Sequence, residues 1–316
     1  MLDAVARLVA HEGYALIGLD PISGRRSLMF SHNGVGPARA LAHNEHRQHD
    51  VNRYADLARR TLPAGVLNAN DMAGSRSQRM RTILRPCGYT SEMRLVLRAH
   101  RRVWGALTLF RSECLPPFNE ADTVVLAALS DALCSDIRNF TVRRTTQPCF
   151  PLQRGVAVLD KDDVVTARSP AFDLLQRELG AGGRDDMTAE DALRIVFDAA
   201  AAARATSVTA TVCLRAMSGR WISLQADPLD TEPERVIATL SPATLHEVMP
   251  SYAAWNGLTS RESQVLGLLA NGDPTKGLAR SLGISRYTVE DHLRSIYRKT
   301  CTDGRDDLLG AVLTGA

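Results

Sequence analysis

Residues 257–300 read GLTSRESQVLGLLANGDPTKGLARSLGISRYTVEDHLRSIYRKT, and this stretch has the clearest helix start and stop signals in the 316-residue chain. Thr259 and Glu262, three residues apart, form the pattern of a capping box and predict the start of a first helix. Gly272 ends that helix, and Pro274 prevents it from continuing. The stretch therefore begins with a short helix followed by a sharp turn.

Two more short helices are predicted after this turn. The second runs from about residue 275 to Gly283, and Ser285 is the expected N-cap of the third. In the third helix, Val289, Leu293 and Ile296 lie at spacings of four and three residues, which predicts a buried stripe. Another face has polar residues at steps of four, namely Arg286, Glu290, Arg294 and Arg298. Two helices joined by a glycine turn, the second with a polar outer face, form a helix-turn-helix that fits the DNA major groove.

This stretch resembles the C-terminal DNA-binding domain of LuxR-type transcription regulators. The matching positions, in order, are Leu258, Thr259, Arg261, Glu262, Gly272, Lys276, Ala279, Leu282, Ile284, Ser285, Thr288, Val289, His292 and Lys299. The resemblance implies double-stranded promoter DNA as the partner, bound by a homodimer on a two-fold operator. It also implies contacts to the DNA backbone at Lys276, Ser285, Thr288 and Lys299, and base reading at Glu290, Asp291 and Arg294. On physical grounds, Tyr287 and Arg298 are added to the residues that contact phosphate.

Glu290 departs from the family pattern, because many members carry Lys or Gln at this position. Lys donates to guanine, whereas Glu can only accept a hydrogen bond, for example from cytosine N4. Asp291 adds a second negative charge near the expected phosphates, which weakens non-specific attraction to DNA. An alternative hypothesis is therefore an interaction protein whose helix-turn-helix no longer binds an operator and instead titrates partner proteins.

The charge of the chain is close to neutral, at +3, but is unevenly distributed. Residues 276–299 contain six cations and two acids, a net charge of +4, where phosphate would lie. No run of about 18 apolar residues predicts a membrane span, and no signal-peptide pattern is found at the N-terminus. A cytoplasmic location is therefore expected, with the six cysteines reduced.

The first 142 residues predict an α+β domain. Strands are expected at residues 14–19, 27–30, 92–98 and 103–110, and helices within residues 37–62, 75–84 and 119–140. This order, together with VNRYADLA at residues 51–58 and WGAL at residues 104–107, resembles a GAF domain of the kind found in LuxR-type regulators. Such folds hold a pocket between the sheet and its helices. The candidate lining residues, which could equally be plain core, are Tyr14, Met93, Trp104 and Leu107.

Residues 119–140 predict the longest helix of the chain, with apolar residues at steps of four and three. This stripe is expected to pack on the sheet of its own domain, and it could also pair with a second copy of the chain. A fourth helix is expected at residues 306–313 of the DNA-binding domain. The candidate dimerisation residues from the two helices are Val125, Leu129, Leu133, Ile137, Leu308, Leu309 and Val312.

The predicted fold class is multidomain, with two α+β sensory domains followed by an all-α helix-turn-helix domain. After the GAF-like domain (residues 1–142), a linker at 143–153 leads to a second α+β unit at residues 154–243. Its expected order is two strands, a helix that begins at Pro170, a helix capped by Thr188, and three antiparallel strands, which resembles a PAS domain. A second linker at residues 244–256 then precedes the DNA-binding domain at residues 257–316.

The sequence contains no catalytic motif: a phosphate-binding GxxxxGK, a GxSxG nucleophile turn and an HExxH zinc motif are all missing. A DNA-binding regulator is therefore favoured over an enzyme, and no cofactor is predicted. His43, His46 and His49 are spaced three apart, but His43 and His49 point to different sides of a helix. A solvated polar helix is therefore predicted here, in preference to a metal site.

Overall fold

The computed structural model describes residues 2–36, 38–47, 50–99, 102–142, 153–180, 193–216, 219–229 and 234–314. Within these residues, two antiparallel five-stranded sheets precede a group of five helices. The order of elements agrees with the predicted fold class of two α+β units followed by an all-α domain. None of the helices in the described part of the chain combines the length and the apolar character needed to cross a bilayer.

The first sheet has the strand order β2-β1-β5-β4-β3. Alternation along β4 puts Met93, Leu95 and Leu97 on one face, where each is fully buried, and Glu92 and Arg94 on the other. The five strands are β1 (Gly13–Leu19), β2 (Arg26–His32), β3 (Ala64–Asn68), β4 (Ser91–Ala99) and β5 (Arg102–Arg111). The helices of this unit are α1 (Leu2–Leu8), α2 (Ala38–Arg47), α3 (Tyr54–Leu57), α4 (Met72–Arg76), α5 (Glu120–Ala128) and α6 (Ser130–Val142), with a π-helical turn at Met80–Leu84 and a 3₁₀ turn at Arg85–Cys87.

The single helix predicted at residues 119–140 is wrong, because the segment forms two helices, α5 and α6, that meet at Leu129. A capping box between Asn119 and Asp122 starts α5, as expected for these residue types. The backbone N–H of Leu129 donates to the carbonyl of Leu126, which tightens the last turn and ends α5. No Gly or Pro marks this break, and the apolar periodicity continues through it.

The second sheet repeats the strand order of the first, as β7-β6-β10-β9-β8. Its strands are β6 (Gly155–Leu159), β7 (Val165–Arg168), β8 (Ala210–Arg215), β9 (Trp221–Pro228) and β10 (Val236–Pro242), and its helices are α7 (Pro170–Gly180) and α8 (Arg194–Thr206). Thr188, the predicted cap of the alanine-rich helix, lies outside the described residues.

Helix α8 is the element that joins the two α+β units. It packs on strands β8, β9 and β10 of its own unit and on α2 and β2 of the first unit. All of its residues from 194 to 203 are buried. Its alanines allow close approach on both sides, which explains why an alanine-rich helix lies here.

The C-terminal part contains α9 (Leu245–Trp255), α10 (Ser260–Ala270), α11 (Thr275–Leu282), α12 (Arg286–Thr300) and α13 (Arg305–Thr314). Helix α9 occupies the segment predicted as a linker, residues 244–256. Thr244 and Glu247 form its capping box, and Trp255 at its end is only 1% exposed. The ring of Trp255 lies 5.1 Å from that of Trp104 in β5, so this segment fixes the helical domain to the first sheet.

Most of the proposed dimerisation residues have a different role within the single chain. Leu133 and Ile137 are buried in the core below the first sheet, and Leu308 and Val312 are buried where α13 packs on α9. Apolar side chains that a chain buries in its own core cannot also form the surface of a dimer. Of the seven candidates, only Val125, Leu129 and Leu309 retain exposed area.

Candidate nucleic-acid interface and interdomain cavity

Helix α12 is held by one face and leaves the other face open. Val289, Leu293 and Ile296 are buried in the apolar core that α12 forms with α10 and α11. Ser285 caps the helix, because its Oγ accepts a hydrogen bond from the backbone N–H of Thr288 at 3.1 Å. The side chain of Tyr287 is 80% exposed. The predicted buried stripe and the predicted cap are both present, and together they orient the polar face of α12 outward.

The turn before α12 is fixed by two features. Gly283 has a φ of +63°, a left-handed conformation that a glycine adopts without strain. Arg261 of α10 donates a hydrogen bond from Nη2 to the carbonyl of Leu282 at 2.6 Å. This bond connects the first helix of the motif to the turn, so the angle between α11 and α12 is set by contacts and not by the turn alone.

Each acid on the outer face of α12 pairs with an arginine of the same helix. Arg286 Nε lies 2.8 Å from Oε1 of Glu290, and Arg294 Nη1 lies 3.0 Å from Oδ1 of Asp291. These four side chains are 40–79% exposed, and exposed pairs of this kind contribute only about 0.3–0.5 kcal/mol each. A phosphate or a base edge could therefore replace either acid as the partner of its arginine.

The two lysines matched to phosphate positions have different surroundings. Lys276 is exposed near the start of α11. Lys299 Nζ instead lies 2.6 Å from Oε2 of Glu262, whose side chain is only 5% exposed. Burial raises the pKa of Glu262, but hydrogen bonds from Lys299 and from the Thr259 backbone lower it by more, to about 2. Lys299 thus connects the C-terminal end of α12 to the capping box of α10.

The four residues predicted to line a ligand pocket are core residues. Tyr14, Met93, Trp104 and Leu107 are each at most 8% exposed and belong to the apolar cluster shared with α5, α6 and α9. A cavity with a volume of about 330 Å³ lies on the other face of the first sheet, opposite this apolar cluster. None of the four lines it. Alternation along the strands directs Tyr14, Met93 and Leu107 away from it, and the register shift between β4 and β5 puts Trp104 on the core side as well.

The cavity is bordered by an ion cluster between the two α+β units. Oδ1 of Asp198 in α8 forms an ion pair with Arg26 Nε at 3.2 Å and a hydrogen bond with His46 Nε2 at 3.0 Å. Burial raises the pKa of Asp198, but the charge of Arg26 and the hydrogen bond from His46 lower it by more, to about 2. For His46, burial lowers the pKa, but the hydrogen bond and the charge of Asp198 raise it above its ordinary value.

This cluster corrects the prediction of a solvated histidine helix. His46 is bonded to Asp198, His43 lies in α2, and His49 is outside the described residues. Among the described residues, no group of three or more His, Cys, Asp and Glu side chains could hold a metal ion. Asp198 was missed at the sequence level, although a single acid within the alanine-rich helix was a usable signal for a buried charge pair.

A second charge network, also missed, lies deeper on the same face of the first sheet. Arg79 is fully buried and places Nη2 2.7 Å from Oε2 of Glu92. Arg94 bridges Glu92 at 3.1 Å and Glu45 at 3.0 Å, and its guanidinium lies 4.4 Å from the centre of the Tyr54 ring. The alternation of Glu92 and Arg94 with apolar residues in one strand was the available signal, since it places two charges on a covered face.

The match to a known family lies in the C-terminal part of the chain. Residues 256–309 match the family described as bacterial regulatory proteins, luxR family. An uncharacterized response regulatory protein of Escherichia coli, YgeK, is 42% identical over 53 residues, which are 17% of this chain and 36% of that protein. The monoamine regulon transcriptional regulator of Klebsiella aerogenes is 40% identical over 52 residues, 16% of this chain and 23% of that protein. The chain therefore spans about a third or less of the length of these relatives.

Two solved structures show more extended but weaker similarity. The VqmA dimer of Vibrio cholerae, a LuxR-type receptor, is 21% identical with a TM-score of 0.24, covering 50% of this chain and 80% of that one. SdiA of Escherichia coli is 13% identical with a TM-score of 0.31, covering 99% of this chain and 88% of that one. Such low TM-scores do not establish a shared overall fold. The family match is local and specific: residues 256–309 form a helix-turn-helix domain of the LuxR family of bacterial regulatory proteins.

Proposed function

We propose that this protein is a DNA-binding transcription regulator in which the two α+β units sense a signal and control the C-terminal helix-turn-helix. The observation that carries the proposal is the placement of α12. Its apolar face is buried in its own domain, while the polar face from Ser285 to Arg298 is open to a partner. An α-helix presented in this way fits the major groove of double-stranded DNA.

The residues of this interface follow from the exposed face of α12 and its surroundings. Glu290, Asp291 and Arg294 are the proposed base-reading residues, since they share the outer face. The proposed phosphate contacts are Lys276, Ser285, Tyr287, Thr288 and Arg298. We leave Lys299 out of this set, because its ammonium group is already bound to Glu262 within the domain.

The sensory role of the N-terminal part is supported by the repeated sheet topology. Both units place their strands in the same antiparallel order, with the first strand beside the last. This order fits the GAF-like and PAS-like resemblance of the two segments. The first unit also has the interdomain cavity, of a size that suits a small molecule.

A homodimer is the expected assembly on DNA, because a symmetric dimer doubles the phosphate contacts of a weakly charged domain. The side chains of Leu133, Ile137, Leu308 and Val312 are used within the chain. The remaining candidates for the contact between copies are Val125, Leu129 and Leu309, which keep exposed surface.

The test is selection of bound duplexes from a random double-stranded library with the full chain. We expect a sequence motif with two-fold symmetry to be enriched. Arg294→Met should relax the preference at one base position in each half-site, whereas the exposed Arg177 in α7, changed to Met as the control, should leave the motif intact. Lack of any enriched motif would contradict the proposal and favour the protein-titrating alternative. The two acids on α12, each paired with an arginine of the same helix, would then explain the loss of operator binding.

A further inference from the structure

The cavity between the two α+β units has the form of a small-molecule site. One wall is the face of the first sheet opposite the main core, α2 and α3 form the next, and Asp198 of α8 closes it from the second unit. Its volume of about 330 Å³ lies within the range of small-ligand sites. The lining is mostly apolar and includes Ile17, Leu19, Val96, Val103 and Ala106.

Arg26 is the polar group of this cavity with hydrogen-bonding capacity to spare. It is 8% exposed, and its Nε forms an ion pair with Asp198 at 3.2 Å. Its Nη1 makes only a long contact of 3.9 Å to the sulfur of Met29, a weak acceptor. Among the described residues, no acceptor is bonded to Nη2, although a guanidinium has five N–H donors to satisfy. A ligand that brings an acceptor to this side chain would gain a hydrogen bond from a charged donor.

The charges around the cavity favour an uncharged ligand. Asp198 is neutralised by Arg26, and Glu45 is paired with Arg94 at 3.0 Å and accepts from the backbone N–H of Tyr54 at 2.6 Å. The charged groups in the lining are Arg26 and His46 on one side and Asp198 and Glu45 on the other, so a ligand ion would bring an unbalanced charge into a mostly apolar cavity. Burying such a charge costs free energy, whereas a neutral oxygen could accept from Arg26 without disturbing either pair.

We propose that this cavity binds a small, uncharged, mostly apolar molecule whose carbonyl oxygen accepts a hydrogen bond from Arg26, with Asp198 as the residue that positions Arg26. The inference deepens the proposed function and rests on it, since it names the ligand class of the sensory part. Because Asp198 belongs to the second unit and Arg26 to the first, an occupied cavity would also fix the two units relative to each other.

The experiment measures binding of three matched probes to the full chain by isothermal titration calorimetry. Acetophenone has the carbonyl, ethylbenzene has a similar skeleton without the oxygen, and benzoate has a charge. We expect acetophenone to bind with one-to-one stoichiometry, and ethylbenzene and benzoate to bind at least about tenfold more weakly, since the hydrogen bond has a charged donor.

Two variants place the binding in the cavity. Arg26→Met removes the donors and should bring the affinities for acetophenone and ethylbenzene together. Ala58→Leu adds side-chain volume at a half-buried position of the lining and should weaken both probes by about tenfold or more. Arg81→Met, an exposed change away from the lining, is the control and should behave as the wild type.

The proposal is overturned by any of three results: acetophenone does not saturate the wild-type protein, ethylbenzene binds as tightly as acetophenone, or Ala58→Leu leaves acetophenone binding unchanged. Duplex binding is measured in parallel on the same preparations. A protein that binds DNA but not acetophenone refutes the cavity assignment alone. One that binds acetophenone but selects no DNA motif refutes the proposed function and leaves the ligand site standing.

Discussion

Replacing Lys299 with methionine would remove an ammonium group that lies 2.6 Å from Oε2 of Glu262 while keeping an apolar stem of similar length. Glu262 is 4% exposed and belongs to the capping box of α10. We expect the variant to lose stability in the helix-turn-helix domain and to keep its phosphate contacts. Lys276→Met is the matched comparison, because the same change is made at an exposed lysine.

The size of the stability loss follows from the partners that Glu262 retains. A hydrogen bond to a charged group contributes about 1.5–3 kcal/mol to stability. The backbone N–H of Thr259 still donates to Oε2 at 2.6 Å after the substitution, so the carboxylate is not left without a partner. The lower end of the range therefore applies, and we expect the free energy of unfolding to fall by about 1.5 kcal/mol, measured by urea titration at neutral pH. Lys276→Met should change it by less than about 0.5 kcal/mol.

The same pair makes a prediction about pH. The pKa of Glu262 is lowered from 4.5 to about 2 in the folded protein, so its contribution to stability is present above pH 4.5 and is lost as the pH falls toward 2. Without the ammonium of Lys299, the folded-state pKa rises. The acid-dependent loss of stability should then be smaller in Lys299→Met than in the wild type, in urea titrations across this pH range.

DNA binding should also distinguish the two lysine variants, with the larger effect expected for Lys276→Met. The dependence of affinity on salt reports the number of phosphate contacts, and each lost contact lowers the slope by about one. Fluorescence anisotropy with a selected duplex, between about 50 and 200 mM salt, should show this loss for Lys276→Met and an unchanged slope for Lys299→Met. An equal fall in slope for both variants, with no change in the urea midpoint of Lys299→Met, would refute the reasoning.

Three further predictions test the interface, the junction and the ion cluster. Glu290→Gln removes a negative charge from the base-reading face and should tighten DNA binding by roughly two- to fivefold; equal or weaker binding in a salt-controlled titration would contradict this. Trp255→Ala removes a ring that is 1% exposed and should lower the free energy of unfolding by about 3–5 kcal/mol in urea titration, with an unchanged midpoint as the opposing result. The raised pKa of His46 adds stability that is full below pH 6.5 and is lost as the pH rises through the folded value. Urea titrations at about pH 5.5 and about pH 8 should show this loss of stability in the wild type, and Asp198→Asn should abolish it. A loss that persists in the variant would show that the ion pair of His46 with Asp198 is not its source.

The helix-turn-helix is the part of the protein that could be predicted from its sequence. The capping box of Thr259 and Glu262 and the N-cap Ser285 occur as the residue types indicate. The buried stripe of α12 follows the helical period. These signals are local, because a cap needs only groups within three residues and an amphipathic face needs only the helical period. For the same reason, most strands of both sheets could be placed from short apolar or alternating runs bounded by turns, and so could the hairpin pairs β1–β2, β4–β5 and β6–β7. The pairing of β1 with β5 and of β6 with β10 could not, because those strands are far apart in the sequence.

Features that depend on distant contacts were predicted poorly. The four proposed pocket residues were chosen for being large and apolar, and such side chains belong equally well in a core, where Met93 and Leu107 lie fully buried. The break between α5 and α6 at Leu129 has no Gly or Pro to announce it. The helix at Leu245–Trp255 had a capping box in its sequence, but its role depends on the contact of Trp255 with Trp104 in a different unit.

What the sequence alone determined is the identity of the DNA-binding motif and the polar face that it presents, since both follow from residue types at short spacing. What only the tertiary structure decided is which charges are free to meet a partner. Lys299 binds Glu262, 37 residues away, and His46 binds Asp198, 152 residues away. No local pattern specifies such pairs, because they form only when packing brings separate elements together and removes the water that would otherwise solvate each charge.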